Sequence, residues 1–199
     1  MSKKAFILID YSNDLIADDG VLSCGKPAQA IAPVACTYME EFLQQGDMVV
    51  VCNDYHDAPD QQGHFNPYHP ETALFPPHNV AGTHGAELYP PVQETWQKLH
   101  QQYPFTSTFF YKMRFSAFAG TKLDLWLRSH GVTEVVLAGV CTDICVLHTA
   151  IDAYNHGYQI TIALDATCSN QTAGYEFAID HCQNLLGAKL CSRKTDSTK

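Results

Sequence analysis

The residue of this chain whose type and position best suit covalent chemistry is Cys145, five residues beyond the C-terminal end of the apolar run EVVLAGV (134–140). Thr142 is placed to cap a helix that starts there, which would set Cys145 in its first turn, where amide dipoles favour a thiolate. A free thiol of pKa about 8.5 is only a few per cent ionised at neutral pH, and lowering it by one to two units takes roughly 1.4–2.7 kcal/mol. A helix N-terminus together with Lys112 would supply that. Asp10 ends another apolar run, where a carboxylate is unfavourable unless paired; beside Lys112 it could carry a proton from the thiol to a leaving amine. Each residue has a plainer reading: a buried structural cysteine, a carboxylate capping a turn of Ser12 and Asn13, a solvated lysine. Their common position at strand ends favours the chemical one.

A second constellation has the donors of a metal site. Asp54 and His56 are two residues apart at a strand end, so both project to one side, and His78 can return from a long insert to complete a facial set. Glu71 and His64 are alternative further ligands, with His69 and His84 behind them. Mixed nitrogen and oxygen donors admit zinc, manganese or iron(II), and a merely solvated His/Pro-rich loop is the alternative.

These residues need elements to position them. Apolar runs AFILI (5–9), MVVVC (48–52), TFFY (108–111), EVVLAGV (134–140) and YQITIAL (158–164) do not alternate with polar residues, as expected of strands buried on both faces of a parallel sheet. Helical spacing predicts helices over 27–45, 116–130, 143–156 and 171–186, opened by Pro27 in the first case and closed by Gly131, Gly157 and Gly187 in the others. A short last strand fits 188–191. This order predicts an α/β fold, a three-layer αβα sandwich around a mainly parallel six-stranded sheet. One domain over 1–191, an insert at about 54–91 holding five of the ten histidines, and a polar, disordered tail over 192–199 complete the expected organisation. In such a sheet ligands bind beyond the carboxyl ends of the strands, where Asp10, Asp54, His56, Lys112 and the segment Cys141–Cys145 all lie.

The formal charge of −9, from 12 basic and 21 acidic residues with no basic cluster, argues against nucleic acid and membrane surfaces as partners. Five apolar residues before Asp10 are too few for a signal segment or a span, which predicts a cytoplasmic protein. Eight cysteines without zinc-type pairs then read mostly as small buried hydrophobes rather than a disulfide framework.

The stretches FILIDYSNDL, VVCNDYH, LFPPHNVAGTHG, FYKMRFSAFAGTKLDLWL and LAGVCTDICVLHTAIDAYNHGY carry a resemblance. From Ala5 to about Leu190 the sequence resembles the nicotinamidases (pyrazinamidases) of the isochorismatase-like cysteine hydrolase superfamily. The resemblance implies Asp10, Lys112 and Cys145 as catalytic triad and Asp54, His56 and His78 as ligands of one divalent ion, zinc foremost. Its fourth ligand is Glu71, seven residues before His78, or else His64. It further implies a cis peptide bond before Cys141, an oxyanion site from the backbone N–H groups of Cys141 and Cys145, and a ring pocket of Phe75, Phe115 and Leu15. Cys141 and Leu15 depart from residues common in the family. The implied reaction is hydrolysis of nicotinamide to nicotinate and ammonia through a Cys145 thioester, feeding NAD salvage, in a self-associating enzyme. The alternatives are an amidase for another small carboxamide or N-carbamoyl compound, an isochorismate-type vinyl-ether hydrolase, and a catalytically silent metal- or ligand-binding relative.

Overall fold

In the computed structural model, which describes residues 3–193 except 70, 72 and 73, the apolar runs pair as six parallel strands. They are β1 (Lys3–Ile9), β2 (Met48–Asp54), β3 (Ser107–Lys112), β4 (Val132–Val140), β5 (Gln159–Cys168) and β6 (Lys189–Cys191), in the order β3-β2-β1-β4-β5-β6. Successive side chains feed two cores. Ile7, Val50 and Leu137 point to a layer of α5 (Leu123–Ser129), α6 (Leu147–Asn155) and α7 (Thr172–Asn184). Phe6, Val51 and Val136 point to the opposite layer, of α1 (Asn13–Ile16), α2 (Gly25–Ala30), α3 (Ala32–Gln44) and α4 (Pro90–Gln102). Burying each such side chain contributes about 1.5–3 kcal/mol, and the result is the three-layer sandwich, with a sheet that is parallel throughout.

The helices depart from their predicted limits for local reasons. The 27–45 segment breaks at Ile31, because Pro33 has no N–H and its ring obstructs the carbonyl of Gln29. The 116–130 helix is confined to α5, since Ala117 gives its N–H to Thr149 Oγ1 (3.0 Å) and Thr121 Oγ1 returns to the Ala117 carbonyl (2.6 Å). A helix not expected between the insert and β3 is present: α4, opened by Pro90 and burying Val92, Trp96 and Leu99. Most of the expected tail, 194–199, lies outside the described residues. Arg193 does not behave as disordered: its N–H donates to Asp165 (2.7 Å) and its guanidinium pairs with Glu41.

The order in which strands are added reverses between β1 and β4, and the register there fixes the site. Ile9 pairs with Gly139, so the residue after β1, Asp10, faces the segment that follows β4. Gly139 has φ +112°, and a Cβ there would collide with the carbonyl of Ile9. Gly139→Ala is therefore expected to lower the unfolding free energy by more than about 2 kcal/mol, read as a drop in the urea midpoint.

Candidate active site and metal centre

Parallel pairing of β2 with β3 sets Asp54 directly beside Lys112, and β1 brings Asp10 alongside. Lys112 is buried, its ammonium 2.5 Å from Asp54 Oδ1, 2.7 Å from Asp10 Oδ2 and 3.7 Å from Cys145 Sγ, with a further bond to the Arg114 carbonyl (3.1 Å). Asp10 Oδ1 accepts the Asp54 N–H at 2.7 Å. The backbone of Asp10 is left-handed (φ 56°), a conformation aspartate tolerates better than most residues and one that concentrates at functional sites. Lys112 thus touches both Asp10 and Cys145, so the structure brings together the three residues expected to do the chemistry, with Asp54 as a fourth member of the cluster.

Electrostatics here follow from burial. Asp10 is pushed up to about 7, by burial first and the Asp54 charge second, against the pull of Lys112. Burial works to discharge Lys112, but Asp10 and Asp54 outweigh it and hold the ammonium well above its ordinary range. The Cys145 thiol is pushed well up, by burial and then by Asp10, with Lys112 opposing. This corrects the expectation of a thiol lowered by a helix N-terminus. Cys145 sits in a five-residue π-helical turn, Thr142–Val146, that runs into α6, and the Thr142 hydroxyl pairs with Thr167 Oγ1 (2.8 Å) instead of capping it. In the resting state Cys145 is a protonated thiol beside a base, rather than a standing thiolate.

The Val140–Cys141 peptide bond is cis. Thr149, fully buried, donates to the Cys145 carbonyl at 2.7 Å while accepting the Ala117 N–H, tying the nucleophile's turn to the segment after β3.

Next to this cluster, Asp54, His56, Glu71 and His78 are all buried, with one donor atom of each within 4.8 Å of the others. Glu71 Oε2 is 3.4 Å from His56 Nε2 and 3.9 Å from His78 Nε2. His64 is elsewhere, exposed and paired with Asp60 at 3.3 Å; His84 is likewise exposed, beside Glu87 at 3.1 Å. His78 Nδ1 lies 2.9 Å from the Pro76 carbonyl, which only accepts, so the proton is on Nδ1 and Nε2 presents its lone pair. His56 Nδ1 faces His69 Nε2 at 3.2 Å, and Arg114 donates to that same nitrogen at 3.2 Å. The Glu71 N–H also reaches His69 Nδ1, at 3.3 Å. The contact with His69 occupies His56 Nδ1 and leaves its Nε2 turned inward, toward Glu71. His56 Nε2 and Glu71 Oε2 are buried without a hydrogen-bond partner, which is what a donor set for a cation requires. The four residues fit a divalent ion.

Burial first, then Asp54, pushes Glu71 up to about 7, whereas burial pushes His56 down to about 4. Glu71 must therefore release a proton to bind a cation below pH 7, and His56 need not. Zinc affinity of the metal-free protein is expected to weaken about tenfold per unit as pH falls below 7, with close to one proton released per ion in calorimetry across buffers of different ionisation enthalpy. An affinity independent of pH would remove Glu71 from the set.

Between the two clusters a pocket encloses roughly 370 Å³, its mouth included, lined by Leu15, Phe75 and Phe115 as expected and also by Leu22, Ile144 and Cys141. Phe75 meets Phe115 edge-to-face with ring centres 6.4 Å apart. Sequence reasoning does not single out Leu22 and Ile144, which carry no chemical signal. It also passes over Asn79, which follows His78 in a left-handed conformation (φ 46°). Asn79 accepts from Ser12 Oγ (2.7 Å), donates its N–H to Asp14 (2.7 Å) and accepts the His56 N–H (2.9 Å), joining both histidine ligand segments to the turn after β1. An Asn in a PPHN turn was the available clue.

Comparison with known proteins places the chain as a whole. The isochorismatase domain family matches residues 4–195. The uncharacterized isochorismatase family protein PncA of Bacillus subtilis is 47% identical over 188 residues, covering 94% of this chain and 98% of its own. The crystal structure of nicotinamidase/pyrazinamidase PncA from Bacillus subtilis superposes with a TM-score of 0.87 at 46% identity, covering 95% of this chain and 99% of that one. The pyrazinamidase of Pyrococcus horikoshii in complex with zinc superposes with a TM-score of 0.79 at 26% identity, over 96% and 99% of the two chains. With a family match over almost its whole length and a relative this similar, the chain belongs to the isochorismatase family.

Proposed function

We propose that this protein hydrolyses nicotinamide to nicotinate and ammonia, feeding NAD salvage, through a thioester on Cys145 within one hydrolase domain over residues 1–191. The observation that carries the reading is a buried Asp10–Lys112–Cys145 cluster that opens onto a pocket walled by two phenylalanines and bordered by the Asp54, His56, Glu71 and His78 donor set. The nicotinamidase and pyrazinamidase among the structural neighbours support the substrate class, and the zinc complex supports zinc over manganese or iron(II).

Asp10 takes the thiol proton from Cys145, and the Lys112 ammonium offsets the charge of the thiolate as it attacks the carboxamide carbon. The backbone N–H groups of Cys141 and Cys145 hold the tetrahedral oxyanion; losing one such donor typically costs about 10²–10³ in rate. Asp10 returns the proton to the amine as the C–N bond breaks, and ammonia leaves. Asp10 then draws a proton from water, whose oxygen attacks the thioester and frees nicotinate and the thiol. Phe75 and Phe115 clamp the ring so that the carboxamide meets Cys145. A divalent ion held by Asp54, His56, Glu71 and His78 supplies, when bound, a Lewis acid for a ring nitrogen or a water at the pocket's edge.

The family resemblance adds a cytoplasmic location and self-association to this reading; among the described residues no helix is long and apolar enough to cross a membrane. The test is ammonia release from nicotinamide by the metal-loaded protein beside a chelator-stripped sample. Turnover is expected in the first and its loss in the second, restored by zinc. Folded, metal-loaded protein that releases no ammonia from nicotinamide would overturn the assignment.

A further inference from the structure

We propose that Cys24 and Cys141 are a modification site, a thiol pair that peroxide closes into a reversible disulfide across the substrate pocket. Their Sγ atoms are 3.4 Å apart and in hydrogen-bond contact, although the residues are separated by 117 positions. Two of the other thiols have partners of a different kind: Cys36 turns to the Pro91 carbonyl (3.6 Å) and Cys191 to the Tyr38 hydroxyl (3.7 Å), while Cys168 lies near enough to Cys141 to interact with it electrostatically and is the competing partner.

The surroundings give the pair a route in and a consequence. Half-buried Cys141 lines the substrate pocket, so a small oxidant reaches it the way substrate does. Cys24 is buried at the end of the loop after α1, its N–H held by the Leu15 carbonyl at 2.8 Å, and that loop contributes Leu22 to the pocket wall. An S–S bond of about 2.05 Å draws the sulfurs together by roughly 1.4 Å from 3.4 Å. The pull falls on the loop that walls the pocket and on the residue whose backbone N–H is assigned to the oxyanion.

The chemistry balances with peroxide as the oxidant. Cys141 sulfur, deprotonating as it reacts, attacks one peroxide oxygen; the O–O bond breaks, one water leaves and a sulfenic acid remains. Cys24 sulfur attacks that sulfur, the S–O bond breaks and the hydroxide departs as a second water with the Cys24 proton. Two thiols and one peroxide thus give one disulfide and two waters, and a dithiol reductant reverses the change. The hydrogen bond to Cys24, then burial, pushes the Cys141 thiol up, which suits a response to sustained rather than trace oxidant. Reversible disulfides of this kind are the ones found in reducing compartments.

The cross-link is read without reference to the reaction, in the Cys145→Ala protein, where the nucleophile cannot interfere. After hydrogen peroxide and alkylation, peptide mapping without reductant should show Cys24 joined to Cys141, and adding Cys24→Ser should abolish it. In the otherwise native enzyme the same treatment should cut ammonia release by about 10- to 100-fold, the scale of an ångström misplacement, with recovery in dithiothreitol. Cys24→Ser should start at native activity and lack this recoverable loss, while irreversible oxidation of Cys145 would be equal in both proteins. Separately alkylated Cys24 and Cys141, Cys141 joined to Cys168 instead, or an equal recoverable loss in Cys24→Ser would each overturn the proposal. The activity arm rests on the nicotinamidase reading and the mapping arm does not, so failure of either is distinguishable.

Discussion

Cys145→Ala is expected to lower ammonia release from nicotinamide by at least about 10⁴-fold while leaving a folded, metal-binding protein. The nucleophile is the one group here that cannot be replaced by water from the same position, and deleting the member that bonds to substrate typically removes most of the chemical acceleration. Only a sulfur is lost, from a buried side chain, so the stability change should stay near about 1 kcal/mol and zinc affinity should not move. Cys145→Ser should also be far slower, because a hydroxyl of much higher pKa must give its proton to the same Asp10. Retention of more than about one per cent of native turnover by Cys145→Ala would remove the thioester from the mechanism.

Much of the site was legible because strand ends are legible. Asp10, Asp54, Lys112 and Cys141 each follow or end an apolar run, and in a parallel sheet all such ends lie at one edge. The sequence does not reveal how deeply those groups are buried. A thiol at a helix start reads as acidic, yet burial and the Asp10 charge reverse the shift at Cys145. Asp54 reads as a metal ligand only, whereas its alignment with Lys112 makes it part of the catalytic cluster as well. Helix α4 was missed because the histidines and prolines of the insert dominate the reading up to Pro91, although Pro90, Val92, Trp96 and Leu99 mark a helix start and an apolar face. His69 drew notice as a rival ligand; its contact with His56 Nδ1 is a fact of three-dimensional proximity that no spacing encodes.

Lys112→Met should be damaging twice over, because one ammonium serves two carboxylates. With it gone, Asp10 and Asp54 face each other in a buried space where Lys112 Nζ had been 2.7 and 2.5 Å from them. Removing one partner of a buried ion pair typically destabilises by about 3–5 kcal/mol, and turnover should fall by at least about 10³-fold, since neither the thiolate nor the ionised base keeps its counter-charge. The loss of stability should depend on pH in a definite direction. Asp10 is already raised from 3.8 to about 7, by burial and then by Asp54, and Lys112 is the neighbouring cation that lowers it. Without Lys112 the folded protein holds the Asp10 proton to still higher pH, while the unfolded chain releases it near 4. The folded state then binds more protons than the unfolded one across that window, so stability falls as pH rises through it. Urea unfolding of the metal-free variant should accordingly find it nearest to the native chain at about pH 5 and furthest from it above pH 8. A deficit equal at both values would mean that the lysine stem, by its packing, and not its charge, is what the cluster needs from Lys112.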